Sequence, residues 1–137
     1  MIEKKNFWVI DDDPVFQMII QKLLMRIDFC GNVETSKNGM EAAAKMLEAL
    51  ESESSLPDFI FLDINMPIMD GWQFLERFTE PLKESQRIPA IFIVTSSIDE
   101  SDREKAKSHP LVQGYITKPV KLEFLQSLRP ESGPLKL

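Results

Sequence analysis

Residues 58–71 read DFIFLDINMPIMDG, and the fold follows from them. Phe59, Ile60, Phe61 and Leu62 form an unbroken apolar run, the pattern of a strand covered on both faces of a parallel sheet. Asp63 ends that run with a carboxylate. In open α/β sheets ligands bind in the crevice beyond the carboxyl ends of the strands, so an acid at that point is a functional candidate by position. Pro67 and the Asp70-Gly71 pair then turn the chain, and Asp70 with Gln73 has the spacing of a capping box that opens a helix. The local order is strand, acid, loop, helix.

The same order repeats on either side. Phe7-Trp8-Val9-Ile10 is a second buried-strand run, and it ends in Asp11, Asp12 and Asp13. Asp13 before Pro14 is a helix start, which leaves Asp11 and Asp12 at the strand end. Phe16, Ile19, Ile20, Leu23, Leu24 and Ile27 predict a helix through about Asp28, closed by Gly31 and Asn32. Val33 to Ser36 is a weak strand, followed by a helix capped by Asn38 and Glu41 and striped by Ala43, Met46, Leu47 and Leu50. ESESSLP, residues 51–57, reads as a polar surface loop.

Downstream, Phe74, Leu75 and Phe78 stripe a helix expected to stop near Pro81. Ala90 to Val94 is a third buried run, ending at Thr95 and Ser96. Ser97 with Glu100 predicts a cap for a helix to about Ser108 that has almost nothing to bury and should be the loosest of the set. Leu111-Val112 and Gly114-Tyr115-Ile116 make the fifth strand, ending at Thr117 and Lys118. Leu122, Leu125 and Leu128 support a short last helix, terminated by Pro130 and Gly133. Five strands alternating with helices, the strands too apolar to be half exposed, describe a doubly wound α/β fold with a parallel sheet and helices on both faces.

Length and charge bound the function. One domain spanning 1–137, with a core at 6–129 and a short tail at 130–137, accommodates the 137 residues and can fold without disulfides. With 43% hydrophobic and 28% charged residues, no apolar run approaches the roughly 20 residues of a membrane span. The polar start, Met1 to Asn6, carries no secretory signal, and the single Cys30 suits a reducing setting, so a cytoplasmic location is expected. A net charge of −6 argues against direct binding to nucleic acid and leaves proteins as the expected partners.

In such a fold Asp11, Asp12, Asp63, Thr95 and Lys118 share one rim of the sheet. Clustered carboxylates repel unless a divalent cation or an ammonium neutralises them. Oxygen ligands of this kind suit Mg²⁺, which accepts phosphate oxygens as further ligands, and an aspartate can act as a nucleophile toward phosphorus. The acidic pair Asp11-Asp12, the central LDINMPIMDG, Thr95 and Lys118-Pro119 together resemble the receiver domains of two-component response regulators, in particular the single-domain chemotaxis-regulator type, over residues 6–129. That resemblance implies the flavodoxin-like strand order 2-1-3-4-5. It also implies that Asp63 accepts a phosphoryl group from a histidine kinase or a phosphotransfer protein. Asp12 and Asp63 would ligate Mg²⁺ with the backbone carbonyl of Asn65, and Asp11 would act through an intervening water. Thr95 and Lys118 would contact the phosphoryl oxygens, Tyr115 would change rotamer on activation, and the Lys118-Pro119 bond would be cis. An unidentified downstream protein would read the switched surface. No enzymatic turnover is expected beyond self-phosphorylation and self-dephosphorylation. The short last helix and the polar helix after Thr95 depart from the pattern, both on the output face.

Blander readings stand beside these. Asp63 alone could be a turn residue, Lys118 a solvated lysine, and Tyr115 a partly buried aromatic with a wet hydroxyl. His109 reads as a loop residue, Trp72 as packing on the sheet, Cys30 as a small buried hydrophobe and the methionines as core filler. A Mg²⁺-dependent phosphohydrolase of the haloacid-dehalogenase type also uses a strand-end aspartate, but Asp63-Ile64-Asn65 lacks the second acid of a D-x-D motif. A pseudo-receiver that binds a protein without phosphorylation conflicts with the intact acids. A flavin protein conflicts with the absence of a Ser/Thr/Gly-rich phosphate loop after the first strand.

Overall fold

The computed structural model describes residues 3–130. Five parallel strands form one sheet in the order β2-β1-β3-β4-β5. In chain order these are β1 (Lys5–Ile10), α1 (Pro14–Leu24), β2 (Cys30–Ser36), α2 (Gly39–Glu51), β3 (Phe59–Leu62), α3 (Gly71–Lys83), β4 (Ala90–Thr95), α4 (Glu100–Ser108), β5 (Val112–Thr117) and α5 (Leu122–Gln126). Every connection is a crossover through a helix, as parallel pairing requires. The apolar runs at Phe7 to Ile10, Phe59 to Leu62 and Ala90 to Val94 are the three central strands.

Two cores cover the two faces of the sheet. On one, α1 and α5 pack Phe16, Ile20, Leu24 and Leu125 against Phe7, Val9, Phe61 and Val94. Aromatic rings run across this face from strand to strand: Phe7 stacks on Phe59 at 5.0 Å, and Phe92 meets Phe124 of α5 edge-on at 5.3 Å. These offset and edge contacts are the arrangements that ring quadrupoles favour. The opposite face buries Ala42, Ala43 and Met46 of α2 and Phe74, Leu75, Phe78 and Leu82 of α3 against Trp8, Ile10, Ile60 and Ile93.

Several expectations from the sequence change. Helix α1 ends at Leu24, and Gly31 and Asn32 lie inside β2 instead of closing the helix. Ile27 is still buried, from the turn between them. Helix α3 runs through Pro81 to Lys83, held by the burial of Leu82. Asp99, not Ser97, caps α4 by accepting from the Ser101 amide. The 51–57 loop contains a 3₁₀ turn at Glu53–Ser55 and buries Leu56. Asn38 caps α2 by accepting from the Glu41 amide, but Glu41 reaches back to the Lys37 amide, so the box is not reciprocal. The Asp70/Gln73 box is complete in both directions. Met46 and Met66 fill the core, whereas Met18, Met25 and Met40 are exposed, as are Ile19 and Leu47. Gly133 lies outside the described residues.

Candidate functional site

Beyond Ile10 and Leu62 the chain leaves the sheet, and the Asp63 amide still donates to the Ile10 carbonyl at 3.0 Å. That bond carries Asp63 in beside the end of β1. Asp11, Asp12 and Asp63 converge there, with one carboxylate oxygen of each lying within 4.8 Å of the others. Asp11 is 1% exposed and Asp63 5%, whereas Asp12 faces solvent. The rim therefore has two walled-in acids and one open one.

Lys118 reaches in from the end of β5. Its Nζ lies 2.8 Å from Asp11 Oδ2 and 3.3 Å from Asp63 Oδ2, and its backbone is tied to β4 by donation to the Thr95 carbonyl. The Phe16 ring of α1 supports the ammonium from beneath at 4.4 Å, a cation–π contact the sequence reading did not foresee. The Lys118-Pro119 bond is cis. Burial works against the lysine's charge, yet the two carboxylates outweigh it and hold its pKa above the ordinary value. Asp11 is shifted the other way: burial pushes its carboxyl up to about 6 despite Lys118 and the Asp13 amide, with Asp63 adding repulsion. The ammonium alone does not neutralise this cluster.

The donor set fits a hard divalent cation. All the ligand atoms are oxygens, and Asp11 Oδ2 is buried without a directed hydrogen bond, its contact with Lys118 being ionic and off the hydrogen-bond direction. Asp11, Asp12 and Asp63 together could hold such a cation beside the Lys118 ammonium. Asn65 donates its amide to Asp63 Oδ1 at 3.1 Å and its side chain reaches Thr95 Oγ1 at 3.5 Å. Thr95 is fully buried at the end of β4, and its hydroxyl accepts from the Ser97 amide.

Tyr115 on β5 is half-buried and donates its hydroxyl to the Ser97 carbonyl at 2.9 Å, under the guanidinium of Arg103 at 4.7 Å. Ser97 also donates to Asp102 Oδ2, and Asp102 Oδ1 accepts from the Trp72 indole at 3.1 Å. Trp72 thus packs against the core and also fastens α3 to α4. Neither Phe16 nor the Trp72–Asp102–Ser97 chain was legible beforehand, since their partners are remote in sequence. His109 is structural: Nδ1 accepts from the Leu111 amide and Nε2 meets Thr79 Oγ1. Cys30 is only half-buried.

The chain matches the response regulator receiver domain model over residues 7–128. Among curated proteins, "Probable methanogenesis regulatory protein FilR2" from Methanothrix harundinacea is 30% identical over 86% of this chain and 74% of its own length. The sensor histidine kinase CheAY of Helicobacter pylori is 32% identical over 87% of this chain, which spans only 14% of that protein. Among solved structures, a two-component response regulator from Cytophaga hutchinsonii superposes with a TM-score of 0.79 at 26% identity, covering 92% of this chain and 95% of that one. The complex of the Saccharomyces cerevisiae histidine phosphotransfer protein Ypd1 with the receiver domain of Ssk1 gives 0.74 at 25% identity, covering 94% and 88%. The chain belongs to the response regulator receiver family: it is a receiver domain of two-component signalling, of the kind phosphorylated on aspartate.

Proposed function

We propose that Asp63 is the phosphoacceptor and that Asp11, Asp12, Asp63 and the Asn65 carbonyl hold Mg²⁺ beside it. The observation that carries this is the convergence of Asp11, Asp12 and Asp63 carboxylates on one point, with Lys118 in contact with Asp11 and Asp63. Bound Mg²⁺ would offset the charge of the incoming phosphoryl group and align it. An Asp63 carboxylate oxygen attacks the phosphorus of a donor phosphohistidine. The new P–O bond forms as the P–N bond breaks, and the electron pair stays on the imidazole nitrogen, which takes up a proton. Lys118, already between two carboxylates, is within reach of a phosphoryl oxygen on Asp63, and the Thr95 hydroxyl is joined to the site through the Asn65 side chain. The acyl phosphate is later lost by attack of water, so the domain turns over no separate substrate.

The donor is a histidine kinase or a phosphotransfer protein, the latter being the kind of protein co-crystallised with the receiver domain of Ssk1. Exposed Val15, Met18 and Ile19 on α1 flank the acids and offer an apolar seat for such a protein. Residues 6–129 form the working unit, the setting is cytoplasmic, and a second protein reads the switched face. No described helix is long and apolar enough to cross a membrane. A phosphohydrolase is not favoured, because Asn65 stands where its acid/base carboxylate would be. The test is incubation with acetyl phosphate and MgCl₂ followed by intact-mass analysis. One added phosphoryl group is expected, lost in Asp63→Asn, whose amide is nearly isosteric but not nucleophilic. Phosphoryl uptake by Asp63→Asn at the parent rate would sink the assignment.

A further inference from the structure

Gln17 lies one turn into α1, on the side of the acids away from Lys118. Its Nε2 donates toward the carbonyls of Asp11 at 3.0 Å, Ser36 at 3.1 Å and Val9 at 3.2 Å. Strands β1 and β2 part at this point. The last bond between them is the Asp11 amide to the Ser36 carbonyl, after which the Asp11 carbonyl has no strand to meet. The Gln17 carboxamide fills that place. Its orientation is unambiguous, because a flipped amide would set Oε1 against three carbonyl oxygens; Oε1 is itself buried and accepts nothing among the described residues.

The carbonyl of Asp11 belongs to the peptide that joins Asp11 to Asp12. That peptide is held by Gln17 through its carbonyl, while the Ile10–Asp11 peptide before it is held by Ser36 through the Asp11 amide. Asp11 has further restraints on its carboxylate, the Asp13 amide at 2.9 Å and Lys118. Asp12 is exposed and its carboxylate accepts no hydrogen bond among the described residues, so its approach to the cluster is set by the backbone that carries it. We infer that Gln17 is a positioning residue for the cation site: by clamping the Asp11–Asp12 peptide it aims the Asp12 carboxylate at the ion, without touching the ion itself. This rests on the Mg²⁺ site proposed above, and it follows the general pattern in which groups behind the ligands tune metal affinity.

The experiment is a MgCl₂ titration of the ¹⁵N-labelled protein followed at the Asp12 and Asp13 amides, comparing the parent with Gln17→Met, which keeps the length and loses the donors. The expected result is a Kd raised about tenfold, while Met46→Ala, a core truncation remote from the acids, lowers stability and leaves the Kd at the parent value. An unchanged Kd in Gln17→Met overturns the positioning role while leaving the cation site intact. A parent that shows no Mg²⁺ response overturns the cation site itself, and this role with it. Should Gln17→Met fail to fold, the parent still decides: the Gln17 side-chain amide protons must exchange slowly with solvent, and exchange as fast as that of a free carboxamide overturns the clamp.

Discussion

Asp11 is where burial and charge conflict most. Its carboxyl titrates near 6 in the folded chain against 3.8 for an ordinary aspartate, with burial the main cause. Between those values the folded state holds a proton that the unfolded state has released, so stability falls as pH rises through this window and stays lower above it. Metal-free protein should therefore be more stable near pH 4.5 than at pH 7.5 through this group, and Asp11→Asn should flatten that slope and stabilise the metal-free protein at pH 7.5 by on the order of 1 kcal/mol. Urea melts of both proteins at the two pH values measure it; a parallel pair of pH profiles would rule it out. Gly71 shows steric constraint next to the same site. A Cβ there would stand 2.5 Å from the Asp63 carbonyl oxygen and 2.8 Å from the Ile64 Cα, backbone atoms with no room to yield. Gly71→Ala should cost about 1–3 kcal/mol and slow phosphoryl uptake by shifting Asp63, read from denaturation and intact mass together.

Among the elements, α4 is the least anchored by apolar contact, with Ala106 its one buried residue. Polar and ring contacts do the anchoring instead. Asp102 ties it to Trp72 of α3 and to Ser97 in the loop after Thr95, while Lys105 lies over the Trp72 ring at 4.8 Å. Two such hydrogen bonds to a charged group predict that Asp102→Ala lowers stability by about 1–3 kcal/mol. Glu104→Ala, one turn face away and exposed, should stay within about 0.5 kcal/mol. Equal effects in thermal unfolding would show that the network contributes nothing beyond the surface average.

For the molecule as a whole, the sheet order brings the carboxyl ends of β1, β3, β4 and β5 side by side, so an event at Asp63 is one residue layer from Thr95 and Lys118. Thr95 bonds the Ser97 amide, Ser97 bonds Asp102 and receives Tyr115, and Arg103 covers Tyr115. We expect a phosphoryl group on Asp63 to draw Thr95 toward it, break the Ser97 contacts and let Tyr115 turn inward, remodelling the face of α4, β5 and α5. Phosphorylation can favour that state only through contacts that differ between the two. Backbone hydrogen exchange with and without beryllofluoride should change from Thr95 through Tyr115. Changes confined to the rim around Asp63 would instead favour phosphoryl storage.

The central strands, the acids at their ends and the α3 capping box were legible in the amino-acid order because each is a local signal. An apolar run records burial on two faces, and a cap records backbone amides left over at a helix start. The recurrence of acids, hydroxyl and lysine after those runs disclosed the candidate site as well. What failed were boundaries decided elsewhere in the molecule. Among the described residues strand β2 pairs with β1 alone, so Cys30 to Asn32 could join it without any apolar run to announce them. Helix α3 survives Pro81 because Leu82 is buried by residues far along the chain. Gln17, Phe16 and Asp102 looked like ordinary members of helix faces, and their roles exist only where α1 meets the ends of β1 and β2, where Lys118 crosses Phe16 and where α3 meets α4. Hydrogen bonds and cation–π contacts act over a few ångströms of space, whatever the distance along the chain, so only the packed structure could assign them.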